Sequence, residues 1–232
     1  MSEFVFPPAP VPSVAVAGGG RFPVHRIYCV GLNYADHVRE MGSDAAKSPP
    51  IFFTKPADAV VANGAAVPYP PATGNFHYEI ELVVAIGSGG RDIDAARALA
   101  HVFGYAAGND LTRRDLQASA KARGEPWDTA KGFDGSAPVA AIRPASQGHP
   151  NRGRIWLNVN GKLRQEADLS QMIWDVPHVI AALSRLYELR PGDLIFTGTP
   201  SGVGALRPGD RLEGGVEGLE VLSNAIAHPA RD

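Results

Sequence analysis

Cysteine is nearly absent: Cys29 is the only one in 232 residues. No disulfide can close within the chain, and the apolar neighbourhood of Cys29 predicts a buried structural thiol suited to a reducing cytoplasm. The opening Met-Ser-Glu-Phe-Val-Phe-Pro-Pro lacks a basic start and is broken by proline, so it does not read as a leader. No later apolar run approaches the roughly 20 residues of a membrane helix. A soluble, unexported, cytoplasmic protein is expected. Charge of one sign is also lacking, since 22 Lys and Arg face 24 Asp and Glu for a net −2. That balance gives no electrostatic basis for nucleic acid or an anionic membrane as partner, so the expected partner is a small molecule. Neither internal repeats nor βαβ alternation can be seen.

What is present is turn material. Gly (26) and Pro (20) lie between short apolar runs, the pattern of many short strands joined by shaped loops. With 44% hydrophobic residues the chain fills one large core. An extended arm, residues 1–22, is expected ahead of a single catalytic domain, residues 23–232. The fold class is α+β, strand-dominated.

Strands are expected over residues 25–31, 51–54, 59–61, 138–142, 155–159, 163–166, 194–197 and 219–227. Asn160-Gly161 marks a type I′ hairpin between two of them. A short helix over residues 33–41 takes Asn33 as its N-cap and ends before Gly42. Asp92 or Asp94 caps another that runs to His101. Thr112-Arg-Arg-Asp115 has capping-box spacing and opens a helix that Gly124 ends. Residues 127–135 read as loop. Pro177 fits a first helical turn, after which Val179, Ile180, Leu183, Leu186 and Tyr187 repeat with helical spacing.

Two carboxylates, Glu79 and Glu81, stand one residue apart in the otherwise apolar residues 77–86. A strand there turns both to one face. Either this is the polar face of a half-exposed strand, or the pair belongs to a site. The apolar run 103–110 ends on Asp110, which can face the same cavity. Three converging carboxylates raise one another's pKa unless a hard divalent cation relieves them. With no His or Cys among them, Mg²⁺ or Mn²⁺ fits best, Ca²⁺ also fits, and zinc fits least.

His37 and Glu40, three apart on the first helix, form either a general base or a solvated helix face. Lys131 is either a surface charge or the cation facing the carboxylates. Arg114 and Gln117 share a helix face from which a substrate carboxylate and carbonyl can be bound. Residues 197–204, Thr-Gly-Thr-Pro-Ser-Gly-Val-Gly, lack the Lys-Ser/Thr of a P-loop and read as a cradle for a carboxylate.

Taken together, Gly31-Leu-Asn-Tyr-Ala-Asp-His37, Tyr78-Glu-Ile-Glu81, Gly108-Asn-Asp110, Arg114-Asp-Leu-Gln117, Ala130-Lys-Gly-Phe133 and residues 197–204 resemble the fumarylacetoacetate hydrolase family. The likeness covers nearly all of the chain after residue 24, and is strongest to the short acylpyruvate hydrolases, particularly the fumarylpyruvate hydrolases of gentisate breakdown. It implies a mixed β-sandwich roll that forms a homodimer. It implies further that Glu79, Glu81 and Asp110 hold Mg²⁺ or Mn²⁺, that His37 with Glu40 activates water, and that Lys131 stabilises an oxyanion. Arg114, Gln117 and Thr199 fall where the family binds substrate, a small 2-oxo acid dianion. Leu32 departs from the pattern, since relatives often carry Arg there; this removes one possible cation and bears on the substrate carboxylate contacts, not on the chemistry.

The reaction so implied is cleavage of the C–C bond of an acylpyruvate, fumarylpyruvate giving fumarate and pyruvate. Decarboxylation or keto–enol isomerisation of a 2-oxo diacid is the alternative within the family. A metal-dependent nuclease is opposed by the charge balance, and a binding module without turnover is the remaining rival. Residues 33–50 are expected to form a lid that orders over a dianionic substrate.

Overall fold

The computed structural model describes residues 4–42 and 49–228. In chain order its first elements are β1 (Ser13–Ala15), β2 (Arg21–Pro23), β3 (Arg26–Gly31), α1 (Ala35–Glu40), β4 (Ile51–Lys55), β5 (Val60–Ala62), β6 (Ala66–Pro68), β7 (Phe76–Tyr78) and β8 (Ile80–Ile86). There follow β9 (Val102–Asn109), β10 (Thr112–Arg113), α2 (Arg114–Arg123), α3 (Asp128–Lys131), β11 (Ala137–Val139), β12 (Arg143–Pro144) and β13 (Arg154–Val159). The last are β14 (Lys162–Asp168), α4 (Val176–Leu186), β15 (Asp193–Phe196), β16 (Gly204–Ala205), β17 (Arg211–Val216) and β18 (Leu222–Ala227). No helix among the described residues is long and apolar enough to cross a membrane.

Side-chain alternation explains how these strands assemble. The largest sheet has the order β4-β3-β15-β8-β9-β11-β5, with β12 joined to β9. Along β8, Ile80, Leu82, Val84 and Ile86 enter one core with Leu157, Leu212 and Ile226 of the five-stranded sheet β14-β13-β17-β18-β6. Val83 and Ala85 enter a second core with Ile27, Cys29, Ala106, Leu194 and Phe196, closed by Val14 and Phe22 of the β1-β2 hairpin. With both faces covered, β8 is buried throughout. Each such Val, Leu or Ile contributes about 1.5–3 kcal/mol by leaving water. A strand-dominated α+β fold of mixed sheets is thus what the sequence predicts.

Local chemistry accounts for the matches and the departures. Asn160 and Gly161 both have positive φ, 52° and 74°, as a type I′ turn demands. Asp94 caps the 3₁₀ helix Ala95–His101 by accepting from the Ala96 N–H. Asp175 caps α4, and Val179, Ile180 and Leu183 are buried on it. Leu186 and Tyr187, by contrast, are exposed. Tyr187 has already left the helix, at φ −134° and ψ 145°, and its ring lies against Tyr28 at 4.9 Å.

Three expectations about caps and loops need correction. Tyr34, not Asn33, occupies the N-cap of α1 and makes no side-chain cap bond. Asn33 is buried instead, donating to the carbonyls of Trp174 (2.8 Å) and Thr197 (2.7 Å) and accepting from the Trp174 N–H (2.7 Å). Its side chain has more to gain from three backbone partners than from one helix end. Thr112 lies in β10 and forms no capping box, because its hydroxyl donates to the Asp110 carbonyl. Residues 127–135 are not all loop, since α3 winds one turn there and carries Lys131 inward.

Candidate metal centre

Glu79 belongs to neither β7 nor β8. The chain passes at this residue from the small sheet β10-β7-β16 into the large one, so the single strand expected over residues 77–86 is two. Such a crossing leaves peptide groups without a ladder. Here side chains satisfy them: the Glu79 N–H donates to Asn109 Oδ1 (2.8 Å) and the Ile80 N–H to Gln165 Oε1 (3.0 Å). The Asp110 N–H donates to the Glu79 carbonyl (2.8 Å). Asp110 follows β9 on the face of Ala106 and Gly108, of which Gly108 is the partner of Glu81 on β8. Carboxylate oxygens of Glu79, Glu81 and Asp110 consequently lie within 4.8 Å of one another. At 4%, 1% and 1% exposure, the half-exposed alternative fails.

Two buried lysines and the half-buried Arg114 face these carboxylates unevenly. Lys131 Nζ meets Glu79 Oε2 (2.9 Å), Asp110 Oδ2 (2.7 Å) and Thr112 Oγ1 (2.7 Å), which uses all three of its hydrogens. Lys55 Nζ lies 2.8 Å from Asp110 Oδ1 and donates to the carbonyls of Leu111 and Lys131. Arg114 pairs with Glu79 and with Gln117 Oε1. Among the described residues Glu81 forms no ion pair and accepts its hydrogen bond from the Gly198 N–H at 2.7 Å.

The electrostatic consequence is divergent. Burial opposes ionisation of Glu79, yet Lys131, Arg114 and His37 outweigh it and hold that carboxyl well below its usual range. Burial, reinforced by Asp110 and Glu79, pushes Glu81 well above it. For Lys131 burial favours the neutral form, and Asp110 with Glu79 overcomes it, so the ammonium persists. The cluster therefore lacks positive charge at Glu81, and Asp110 Oδ1 has ion-pair contact but no well-directed hydrogen bond. Three carboxylates with no nitrogen or sulfur ligand fit a hard divalent cation.

The other anticipated residues converge on the same place. His37, Glu79, Glu81, Arg114, Gln117, Lys131 and Thr199 line one cavity, together with Leu32, Phe53 and Trp127. His37 is buried, and its Nδ1 lies 3.0 Å from Glu40 Oε2, which leaves Nε2 without a partner among the described residues. The solvated-face reading of this pair therefore fails for His37. Leu32, where the family pattern often has Arg, lines the cavity with a left-handed φ of 61°. Of the expected lid, residues 43–48 lie outside the described residues.

Residues 197–204 do hold carboxylates, and the carboxylates are the protein's own. Gly198 donates to Glu81, and Gly202 to Glu40 at 3.2 and 3.3 Å. Glycine is required at 198, where φ is 95° and an added Cβ would sit 2.6 Å from that of Asn33. Sequence reading missed Lys55, Asn33 and Gln165. For Lys55 a signal exists: it shares a strand face with Phe53 and closes an apolar strand just before proline. For Asn33 and Gln165 the sequence holds none, because their partners lie far along the chain.

The family model described as fumarylacetoacetate (FAA) hydrolase C-terminal matches residues 26–227. The chain belongs to this family. Among fumarylacetoacetate hydrolase family members it is similar to the fumarylpyruvate hydrolase of Ralstonia sp, 45% identical over 183 residues that span 79% of this chain and 95% of the relative. It is also similar to the mitochondrial oxaloacetate tautomerase FAHD1 of Homo sapiens, 43% identical over 204 residues, 88% of this chain and 92% of the relative. A solved structure of this family, fumarylpyruvate hydrolase from Pseudomonas aeruginosa in complex with Mn²⁺ and pyruvate, matches with a TM-score of 0.96 at 51% identity. That match covers 97% of this chain and 100% of the other. A fumarylpyruvate hydrolase and an oxaloacetate tautomerase thus stand at similar identity to this chain.

Proposed function

We propose that this enzyme hydrolyses the C–C bond of an acylpyruvate, with fumarylpyruvate the favoured substrate and fumarate and pyruvate the products. The observation that carries the reading is one cavity lined by His37, Arg114 and two members, Glu79 and Glu81, of a buried three-carboxylate cluster, with Glu40 behind His37. The related hydrolase in complex with Mn²⁺ and pyruvate supports it. A Mg²⁺ or Mn²⁺ held by Glu79, Glu81 and Asp110 would supply Lewis-acid stabilisation of enolate charge.

The chain's own groups divide the remaining work. With Nδ1 turned to Glu40, the His37 Nε2 is free to take a proton from water, and the Glu40 carboxylate stabilises the imidazolium that results. Arg114 and Gln117 fix the substrate's polar end. Lys131 stabilises an oxyanion by releasing one of its three present acceptors, because none of its hydrogens is spare. A second reading is tautomerisation of a 2-oxo diacid, in which His37 takes a proton from carbon rather than from water, or its decarboxylation, which breaks a C–C bond to the carboxylate and needs no base; the tautomerase relatives support it.

Parallel assays of fumarylpyruvate loss and oxaloacetate turnover, each with and without EDTA, test both. EDTA-sensitive release of fumarate and pyruvate is expected. Turnover of oxaloacetate alone would overturn the first reading in favour of the second. For the metal site, Asp110→Asn is expected to abolish Mn²⁺ binding in calorimetry while nearly conserving volume. Binding as tight as in the parent would remove Asp110 from the ligand set.

A further inference from the structure

Gln165 sits on β14 of the five-stranded sheet, yet its side chain reaches the candidate site. The β13-β14 register shifts between Leu157 and Asn158, pairing Leu157 with Gln165 and Asn158 with Leu163. Arg164 is left over as a bulge, and bulges re-aim the side chains beside them. Gln165 is turned inward to 1% exposure, between exposed Arg164 and Glu166.

There it closes a ring of hydrogen bonds with Ile80 and Thr199. The Ile80 N–H donates to Gln165 Oε1 (3.0 Å), Gln165 Nε2 donates to Thr199 Oγ1 (2.8 Å), and the Thr199 hydroxyl donates to the Ile80 carbonyl (2.8 Å). Gln165 Nε2 also donates to the Pro200 carbonyl (2.8 Å). Both ends of the ring rest on one residue, the N–H and the C=O of Ile80, whose donor and acceptor roles are fixed, so the amide cannot be flipped. The direction of every bond follows. Thr199 has given its hydrogen to Ile80 and one lone pair to Gln165, and a hydroxyl has only one lone pair more.

We propose that Gln165 is a positioning residue that makes Thr199 a hydrogen-bond acceptor toward the cavity, so that the site prefers a ligand oxygen carrying a proton. The inference rests on the acylpyruvate reading and deepens it: the form favoured beside Thr199 is the enol of the 1,3-dicarbonyl acid, whose O–H donates. A carbonyl or carboxylate oxygen at the same point meets an acceptor. Turning the Thr199 hydrogen to such an oxygen would strip the buried Ile80 carbonyl of its donor.

The test compares 2,4-dioxopentanoate, which forms the conjugated enol at C3, with its 3,3-dimethyl analogue, in which that enol is blocked. Affinities are measured by calorimetry on the Mn²⁺-loaded His37→Ala protein, where hydrolysis is slowed. In that protein the enolising acid is expected to bind more tightly. The ratio of the two affinities is expected to fall about tenfold in Thr199→Val, the worth of one hydrogen bond, and to persist in Thr199→Ser. Gln165→Met is expected to lower the ratio severalfold, and to lower it no further once Thr199→Val is present. A merely structural role predicts the same Gln165→Met effect in both backgrounds, and that result overturns the proposal. An unchanged ratio in Gln165→Met overturns it too. Should Gln165→Met fold poorly, the Thr199 pair decides alone: equal ratios in the Val and Ser variants overturn the assigned polarity. Failure of the parent to bind either acid overturns the functional reading and this inference together, whereas binding without coupling overturns only the latter.

Discussion

His37→Ala is expected to slow fumarylpyruvate hydrolysis by about 10²–10⁴-fold, the usual contribution of a positioned general base. The geometry makes the role specific. Glu40 takes Nδ1, the ring is buried, and the unpartnered Nε2 belongs to a side chain that lines the same cavity as Glu79 and Glu81. Mn²⁺ affinity is expected to survive, because all three carboxylates come from other segments. Calorimetry with Mn²⁺ and product release under saturating substrate are to be measured on the same preparation. Hydrolysis at the parental rate would remove His37 from the mechanism. Oxaloacetate turnover, followed in parallel, separates a base acting on water from one acting on carbon.

Lys55→Met is expected to destabilise the metal-free protein by about 3–5 kcal/mol, the range for removing one partner of a buried ion pair. Lys55 and Asp110 are both almost wholly inaccessible, and Lys55 also supplies hydrogens to the Leu111 and Lys131 carbonyls. Methionine fills the space but offers no donor, so Asp110 Oδ1 and two carbonyls lose their partner, and Asp110 keeps Lys131 alone as counter-charge. Urea unfolding of parent and variant reads the difference. Mn²⁺ is expected to add about 2.7 kcal/mol to either protein at a hundredfold excess over its dissociation constant, leaving the difference between them in place. A loss below about 1 kcal/mol, the size of an average substitution, would mean that the pair carries little of the stability of this region.

Which parts of the site were legible follows from where the forces act. The shared face of Glu79 and Glu81, and the arrival of Asp110 opposite them, follow from strand alternation over a few residues. The break at Glu79 does not, because the groups that replace the lost ladder, Asn109 and Gln165, are 30 and 85 residues away. Asn33 was misread for the same reason: a polar residue before a helix has a local use, and the distant carbonyls that outbid it are invisible in sequence. Lys131 faces the carboxylates, one of the two readings its sequence leaves open, and does so from a helical turn in α3 that the sequence does not announce. Leu186 and Tyr187 continued a helical period beyond the last turn, where periodicity no longer describes what a side chain meets.

The central position of β15 bears on how the protein is made. This strand lies parallel to β3 on one side and antiparallel to β8 on the other, pairing Phe196 with both Cys29 and Val83. During synthesis β3 and β8 leave the ribosome long before the strand that joins them. Each waits with an unpaired edge and apolar faces, the condition in which nascent chains stick to one another or are held by chaperones. Closure over such sequence distances is slow. A nascent chain halted at residue 190 already carries Glu79, Glu81, Asp110, Lys55 and Lys131, but not the strand that draws them together or the Gly198 N–H that receives Glu81.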